Sequence, residues 1–304
     1  MTAARPPRHK NPHRPYSRKR KYGSSVTTVL SSMGGSDGLM WAAANETANY
    51  AIDFPDRWTH PDRDVAFDLL RKHFRGLWDG RAAMGTLVHG VNEAWTWGEI
   101  IDIDELVHDL AWGRGPQPAV KIWQDREKFV ADEAEGYIDG LEKFWTDHQP
   151  RTIGTEEIVR HTDEQYPYVG TRDWTCELAG HEGVWLLDLK TTAKQKDEAK
   201  PDSGLYFDKF RLQLAAYRYA TEIVRMDEQG EIVESWPNYP VDHCGVIHLR
   251  GDGEYQLFEM QAGEAEFALF RQQIDVHKWS TSGWKKPPAI DQTPTAKAEK
   301  EAAA

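Results

Sequence analysis

The sequence predicts an α/β protein in which a central mixed sheet is flanked by helices, with a helical region ahead of the sheet. Three observations lead there. Between Thr152 and Thr192 the chain alternates apolar and polar residues in three successive runs, the pattern of a β-meander. Stretches with helical periodicity stand on both sides of it. No apolar run approaches the roughly 18 residues needed to span a bilayer, so the 39% hydrophobic content and thirteen Trp belong to a globular core.

Taken in order, Ser24 to Leu30 is a Ser/Thr-rich apolar stretch, and Gly34-Gly35-Ser36-Asp37-Gly38 breaks it and caps a helix over Leu39 to Tyr50. Residues 51–62, with two Pro and several Asp, read as a loop. Two helices follow, Asp64 to about Leu77 and Arg81 to Trp97. The loop Gly113 to Pro118 then precedes a long amphipathic helix, Val120 to Asp147. The strands are Thr152 to His161, Tyr166 to Glu177 and Val184 to Thr192, the last two joined by a hairpin through Ala179 to Gly183. Lys194 to Ser203 is a charged loop, and Phe207 to Met226 has helical period through Phe210, Leu214, Tyr217 and Ile223. Strands Cys244 to Leu249 and Tyr255 to Met260 flank the turn Arg250 to Glu254, and a last helix covers Glu264 to Lys278.

The 304 residues thus divide into a basic arm (1–23), one folded domain (24–282) and a Pro-, Lys- and Ala-rich tail (283–304), with both ends expected to be disordered. Within the domain, 24–150 is mainly helical and 151–282 carries the sheet. Net charge is −12, which opposes a polyanionic partner, but the distribution is uneven. Residues 1–35 hold eight of the 37 bases and no acid, leaving 29 bases against 49 acids, a balance of −20, for the remainder. A basic arm tethered to an acidic body suits contact with nucleic-acid phosphates; its bland counterpart is a solubility tail. No apolar segment follows the basic N-terminus as in a secretory signal, so a cytoplasmic location without membrane contact is expected. Cys176 and Cys244 have neither metal-site nor disulfide spacing and read as reduced structural thiols.

The chemistry concentrates at Asp188-Leu189-Lys190. In a strand, residues i and i+2 share a face, so Asp188 and Lys190 point to one site and Leu189 to the opposite layer. Asp173, with fourteen residues intervening, brings a second carboxylate from the preceding strand. Two carboxylates beside an ammonium are the minimum apparatus for holding a hard divalent cation against a phosphodiester. Taken singly, Asp173 after Gly-Thr is a turn residue, Lys190 a strand-end charge and His89 a helix-face histidine. Their order and spacing make the signal.

Five pieces occur in fixed order: Gly85-Thr86-Leu87-Val88-His89, Glu156, Gly170-Thr171-Arg172-Asp173, Asp188-Leu189-Lys190 and Gln213-Leu214-Ala215-Ala216-Tyr217. Together they resemble the RecB-like branch of the PD-(D/E)XK nucleases, particularly phage exonucleases similar to the CRISPR-associated RecB-like proteins, over roughly residues 24–280. The resemblance implies a restriction-endonuclease-like core and a metal-dependent DNA exonuclease acting in phage recombination, repair or replication. A phage recombination or single-strand annealing protein would be its partner. It implies His89, Asp173, Asp188 and the backbone carbonyl of Leu189 as metal ligands. Asp173, Asp188, Lys190 and Glu156 would be catalytic, with neighbouring Glu157 an alternative to Glu156. Gln213, Tyr217, Thr171 and Thr191 would contact DNA. Mg²⁺ suits the oxygen ligands, and the imidazole makes Mn²⁺ an alternative. Lys190 acts as a base or as an electrostatic stabiliser, and both roles stay open.

Arg172 stands where the family's name has Pro. The four cysteines that hold an iron–sulfur cluster in many relatives are absent, so no cluster is expected. Nor is there a Walker A sequence, so any helicase motor would be a separate protein. The competing readings are a structure-specific endonuclease and a non-catalytic DNA-binding platform.

Overall fold

A computed structural model describes residues 10, 15–18, 20–33, 36–102, 134–192 and 207–283. After two 3-10 turns, Pro15–Arg18 and Arg20–Tyr22, come β1 (Ser24–Ser25), α1 (Val26–Ser31), α2 (Ser36–Asp53), α3 (Pro55–Trp58) and α4 (Arg63–Trp97). Then follow α5 (Glu135–His148), β2 (Arg151–His161), β3 (Tyr168–Glu177), β4 (Trp185–Thr192) and α6 (Phe207–Arg218). The chain continues through β5 (Glu222–Met226), β6 (Ile232–Pro237), β7 (His243–Arg250), β8 (Tyr255–Glu259) and α7 (Glu264–Thr281).

The eight strands form one open, mixed, mostly antiparallel sheet in the order β6-β5-β2-β3-β4-β7-β8, with β1 beside β3. Only β4–β7 and β1–β3 run parallel. Helices cover both faces. Val88 and Val91 of α4 and Leu141 and Phe144 of α5 pack on Trp174, Leu187, Leu189 and Ile247. On the other face Val29 of α1, Leu214 of α6 and Phe270 of α7 pack on Val159, Leu186 and Val246. Leu187 and Leu189 are essentially fully buried, and burial of each such side chain stabilises by about 1.5–3 kcal/mol.

What positions the site is the edge of β3. One edge pairs with β2 over the whole strand, from Tyr168 to Glu177. The other pairs with β4 only at Trp174, Thr175 and Cys176, and with β1 only at Tyr168 and Val169. Among the described residues, Gly170 to Asp173 therefore have no strand neighbour on that edge. The face alternation of β3 also changes here. Arg172 contacts Glu157 and Tyr239, whereas Trp174, two residues on, stacks on Trp145 of α5.

Several elements differ from the sequence expectation. The helix expected over Phe207 to Met226 stops at Arg218, and β-branched Ile223 and Val224 pair instead with Val159 and Ile158 as β5. The two helices expected between Asp64 and Trp97 are one 35-residue helix, capped by the Asp62 side chain on the Asp64 N–H and closed by Gly98 at φ 72°. Its internal glycines cost about 1 kcal/mol each relative to alanine, and with no proline the hydrogen-bond ladder runs through them. The loop at 51–62 contains α3, started by Pro55 at its first position. Ser24 to Leu30 divides into β1 and α1, with Ser25 accepting from the Thr28 N–H. The edge strand β6, mostly exposed, has no counterpart in the sequence expectation. The loops Gly113 to Pro118 and Lys194 to Ser203, the first half of the Val120-to-Asp147 helix and the tail from 284 lie outside the described residues.

Part of the stretch expected to be disordered is folded. Tyr16 and Tyr22 are buried against Ile158, Val169, Val224 and Met226, because two aromatic rings there outweigh the polar, basic composition around them. Among the described residues no helix is long and apolar enough to cross a membrane.

Candidate metal centre

The gap beside β3 opens into a cleft of about 360 Å³, lined on successive sides by α4 (Gly85, His89, Glu93), by Glu156 of β2, by Gly170, Thr171 and Asp173 of β3, and by Tyr217 of α6. Gly170 is required by the packing. A Cβ on it would come within 2.7 Å of the Tyr217 ring and 3.1 Å of Val26.

His89, Glu156 and Asp173 converge, with one ligating atom from each lying within 4.8 Å of the others. The His89 Nδ1 is 3.5 Å from Glu156 Oε1 and 3.7 Å from Asp173 Oδ2, and its Nε2 is 3.3 Å from the carbonyl oxygen of Leu189. Each element has a reason for delivering its side chain. His89 lies between buried Val88 and Val91, which fix that part of α4 on the sheet. Glu156 and Asp173 face one another between the pairs Thr155–Trp174 and Glu157–Arg172. Glu156 has φ 47°, in the left-handed region, which costs a non-glycine residue roughly 1–2 kcal/mol and interrupts the β2 alternation at this position. Asp173 Oδ2 accepts from the backbone N–H of Leu189 at 3.0 Å, so a carboxylate takes the ladder position that the splayed β3 and β4 backbones leave open.

The groups nearest the two imidazole nitrogens, Glu156, Asp173 and the Leu189 carbonyl, are all acceptors. Burial works against its charged form, but Asp173 and Glu156 outweigh it and hold His89 up at about 9. At neutral pH His89 is an imidazolium, donating from Nε2 to the Leu189 carbonyl and facing two carboxylates with Nδ1.

Asp188 and Lys190 lie on β4 as an ion pair, and Gln213 Nε2 donates to Asp188 Oδ1 at 2.9 Å. Burial pushes the Asp188 carboxyl up; the Lys190 ammonium opposes this and Asp173 adds to it. The Lys190 Nζ also sits 5.1 Å from the centre of the Phe210 ring. Leu189 points the other way, into the cluster under α4 and α5.

Set against the sequence expectation, His89, Asp173 and the Leu189 carbonyl stand together, and Glu156 joins them as a fourth donor rather than acting apart from the ligands. The Asp188 carboxylate is held by Lys190 and Gln213 and is not one of the converging trio. Glu157, the alternative to Glu156, is in the other layer, where its Oε2 accepts from buried Arg172 and from Tyr239. Thr171 and Tyr217 line the cleft. Gln213 reaches Asp188 behind it, and Thr191 lies beside Gly85 of α4. Among the lining residues without a sequence-predicted role are Glu93 and Tyr16. Glu93, raised by burial and by Glu156, follows His89 at i+4, a spacing that was there to be used. Tyr16 had no comparable signal. Cys176 and Cys244 are buried in different layers, with burial pushing both thiols up, and neither is near the trio.

Two carboxylates, one imidazole and one carbonyl around an open cleft are a chemically suitable donor set for Mg²⁺ or Mn²⁺. No family model and no curated protein sequence matches the chain.

Proposed function

We propose that this protein is a divalent-metal-dependent deoxyribonuclease, a phosphodiester hydrolase with a restriction-endonuclease-like core of the RecB-like PD-(D/E)XK type, acting as an exonuclease on DNA. The observation that carries the reading is the meeting of His89, Glu156, Asp173 and the Leu189 carbonyl at the unpaired edge of β3, next to the Asp188–Lys190 pair on the diverging strand.

His89, Glu156, Asp173 and the Leu189 carbonyl would hold the cation, with Asp188 adjoining. Bound there, a divalent ion supplies Lewis acidity toward a phosphoryl oxygen and lowers the pKa of water. The remaining work falls to the chain. Gln213 fixes the Asp188 carboxylate, and Asp188 in turn positions the Lys190 ammonium. Lys190 provides positive charge where a phosphorane would gain negative charge. Thr171 and Tyr217 present hydroxyls along the cleft wall for the sugar–phosphate chain.

Incubation of purified protein with end-labelled linear DNA and with covalently closed circular DNA, in Mg²⁺ or Mn²⁺, tests the reading. Release of mononucleotides or short fragments from linear DNA, abolished by chelator and by Asp173→Asn or Lys190→Ala, is the expected outcome. Cleavage that persists in both variants would overturn it.

A further inference from the structure

Helix α7 presents cations that are held by aromatic rings. Phe267, Arg271 and Lys278 follow one another at spacings of four and seven, so they share one face of the helix. The Arg271 guanidinium lies 5.3 Å from the centre of the Phe267 ring and 5.6 Å from that of Tyr166, and the Lys278 Nζ lies 5.7 Å from the Tyr166 ring. Phe267 stacks in turn on Tyr219 at 5.0 Å, and the Arg218 guanidinium is 5.8 Å from the Tyr219 ring. The order is cation, ring, ring, cation, ring, cation. Lys278 is exposed and the other five are half-buried. Phe267 seats this ribbon on the fold, packing edge-on to His161 and Tyr168 where β2 and β3 pair. That pair is five residues along the strands from Glu156 and Asp173, roughly 16 Å at the strand rise. None of the six residues lines the cleft.

Neighbouring bases are met by acids. Arg211 of α6 pairs with Glu266, Arg160 with Glu222 and Arg225 with Glu234. Among the described residues, Arg218, Arg271 and Lys278 pair with no carboxylate. Arg218 donates instead to the carbonyls of Ala262 and Asp242, and Lys278 to that of Gln165. The acids close by in sequence do not cancel them. Asp163 accepts from the backbone N–H groups of Gln165 and Tyr166, and exposed Asp275, between Arg271 and Lys278 on α7, bridges to neither. An aromatic ring fixes a cation through its quadrupole and leaves the charge intact, whereas a carboxylate would neutralise it. The ribbon thus carries three positioned, uncancelled charges set apart by flat apolar surfaces. A compact anion would engage one of them. A polymer with regularly spaced phosphates and apolar groups between them would engage all three.

We propose that the ribbon of Arg218, Tyr219, Phe267, Arg271, Tyr166 and Lys278 is a nucleic-acid contact outside the cleft, which holds the phosphodiester backbone without reading its sequence. The choice of nucleic acid over another polyanion rests on the nuclease reading. The binding itself is measurable without turnover.

Fluorescence anisotropy of a labelled DNA duplex on the full chain, in EDTA and over a salt series, tests it. Arg271→Glu combined with Lys278→Glu should weaken binding by about tenfold or more and flatten the slope of log affinity against log salt by about 1–2. The neutral pair Arg271→Gln with Lys278→Gln, which asks less of α7, should move both quantities the same way, with affinity down by about threefold or more. Tyr166→Leu keeps both charges but removes the ring that positions them, and should cost about threefold with the salt slope kept. Lys143→Glu with Arg151→Glu makes the same charge change at two bases already paired with Glu254 and Glu177. That control should bind within about threefold of wild type. Circular dichroism and thermal unfolding report whether each variant is folded. Wild-type affinity in both ribbon pairs, or an equal loss in the control, would overturn the proposal. So would polyglutamate that displaces DNA from wild type as well as unlabelled DNA does at equal charge, which would give the ribbon to an acidic protein segment. If the ribbon variants respond as described and even wild type cuts no DNA, the ribbon stands and the nuclease reading falls. If DNA is cut and the ribbon variants bind as wild type does, the nuclease reading stands and the ribbon falls.

Discussion

His89 should give the metal-free and metal-bound protein opposite responses to pH. In the metal-free fold its pKa is held at about 9, against 6.5 without the fold. A basic group whose folded value is raised contributes stability that is complete below the unfolded value. That stability is lost as pH climbs through the folded one. The gap between 6.5 and 9, at about 1.4 kcal/mol per pH unit, bounds the loss at about 3 kcal/mol, or a fall in Tm of roughly 5–10 °C. Metal binding runs the other way. A ring nitrogen must shed its proton to coordinate, so affinity should rise about tenfold per pH unit across that window, with close to one proton released per ion at pH 7. Scanning calorimetry from pH 6.5 to 9, with and without Mn²⁺, and titration calorimetry in two buffers of different ionisation enthalpy read both effects. His89→Gln should flatten each slope. A metal-free Tm with the same pH slope in wild type and His89→Gln, or Mn²⁺ uptake without proton release, would refute the assignment of His89 as an imidazolium standing in the cation site.

Arg172→Met should destabilise the protein by about 3–5 kcal/mol in urea unfolding, since it leaves Glu157 buried with its guanidinium gone. Adding Glu157→Gln should recover part of that loss. Gly170→Ala forces a methyl against the Tyr217 ring and Val26 and should cost about 1–3 kcal/mol, with cleavage lowered in parallel. Gln213→Ala removes the bond that orients Asp188 and should slow cleavage by about 10–100-fold, with circular dichroism unchanged.

The site was more legible in the sequence than the topology around it. Asp188 and Lys190 are bound to share a face by strand geometry alone, and a hairpin of the observed length brings Asp173 beside them. The choice between Glu156 and Glu157 could not be read. It depends on one residue at φ 47°, and a backbone kink that swaps faces has no local sequence mark when the residue is not glycine. The helix expected to reach Met226 shows the same limit from the other side. Ile223 falls in phase with Phe210, Leu214 and Tyr217, so periodicity ran on into β5, although Ile223-Val224 favours a strand. Composition hid Tyr16 and Tyr22, whose two rings stand in a stretch dominated by Pro, Arg and Lys. Asp188 was expected among the ligands. Its pairing with Lys190 follows from burial, since an unpartnered carboxylate there would be costly.

The parallel register of β4 on β7 sets Asp188 against Val246 and Lys190 against His248. The strand bearing both groups thus has one of its flanks supplied by chain made nearly sixty residues later. Such distant pairing is slow to close. During synthesis the three earlier ribbons can assemble as a hairpin stack, yet β4, which bears the Leu189 carbonyl and the Asp188–Lys190 pair, lacks its second neighbour until residues near 250 have left the ribosome. On the proposed reading, a nascent chain would carry Asp188 and Lys190 on a strand with only one neighbour until β7 has been made.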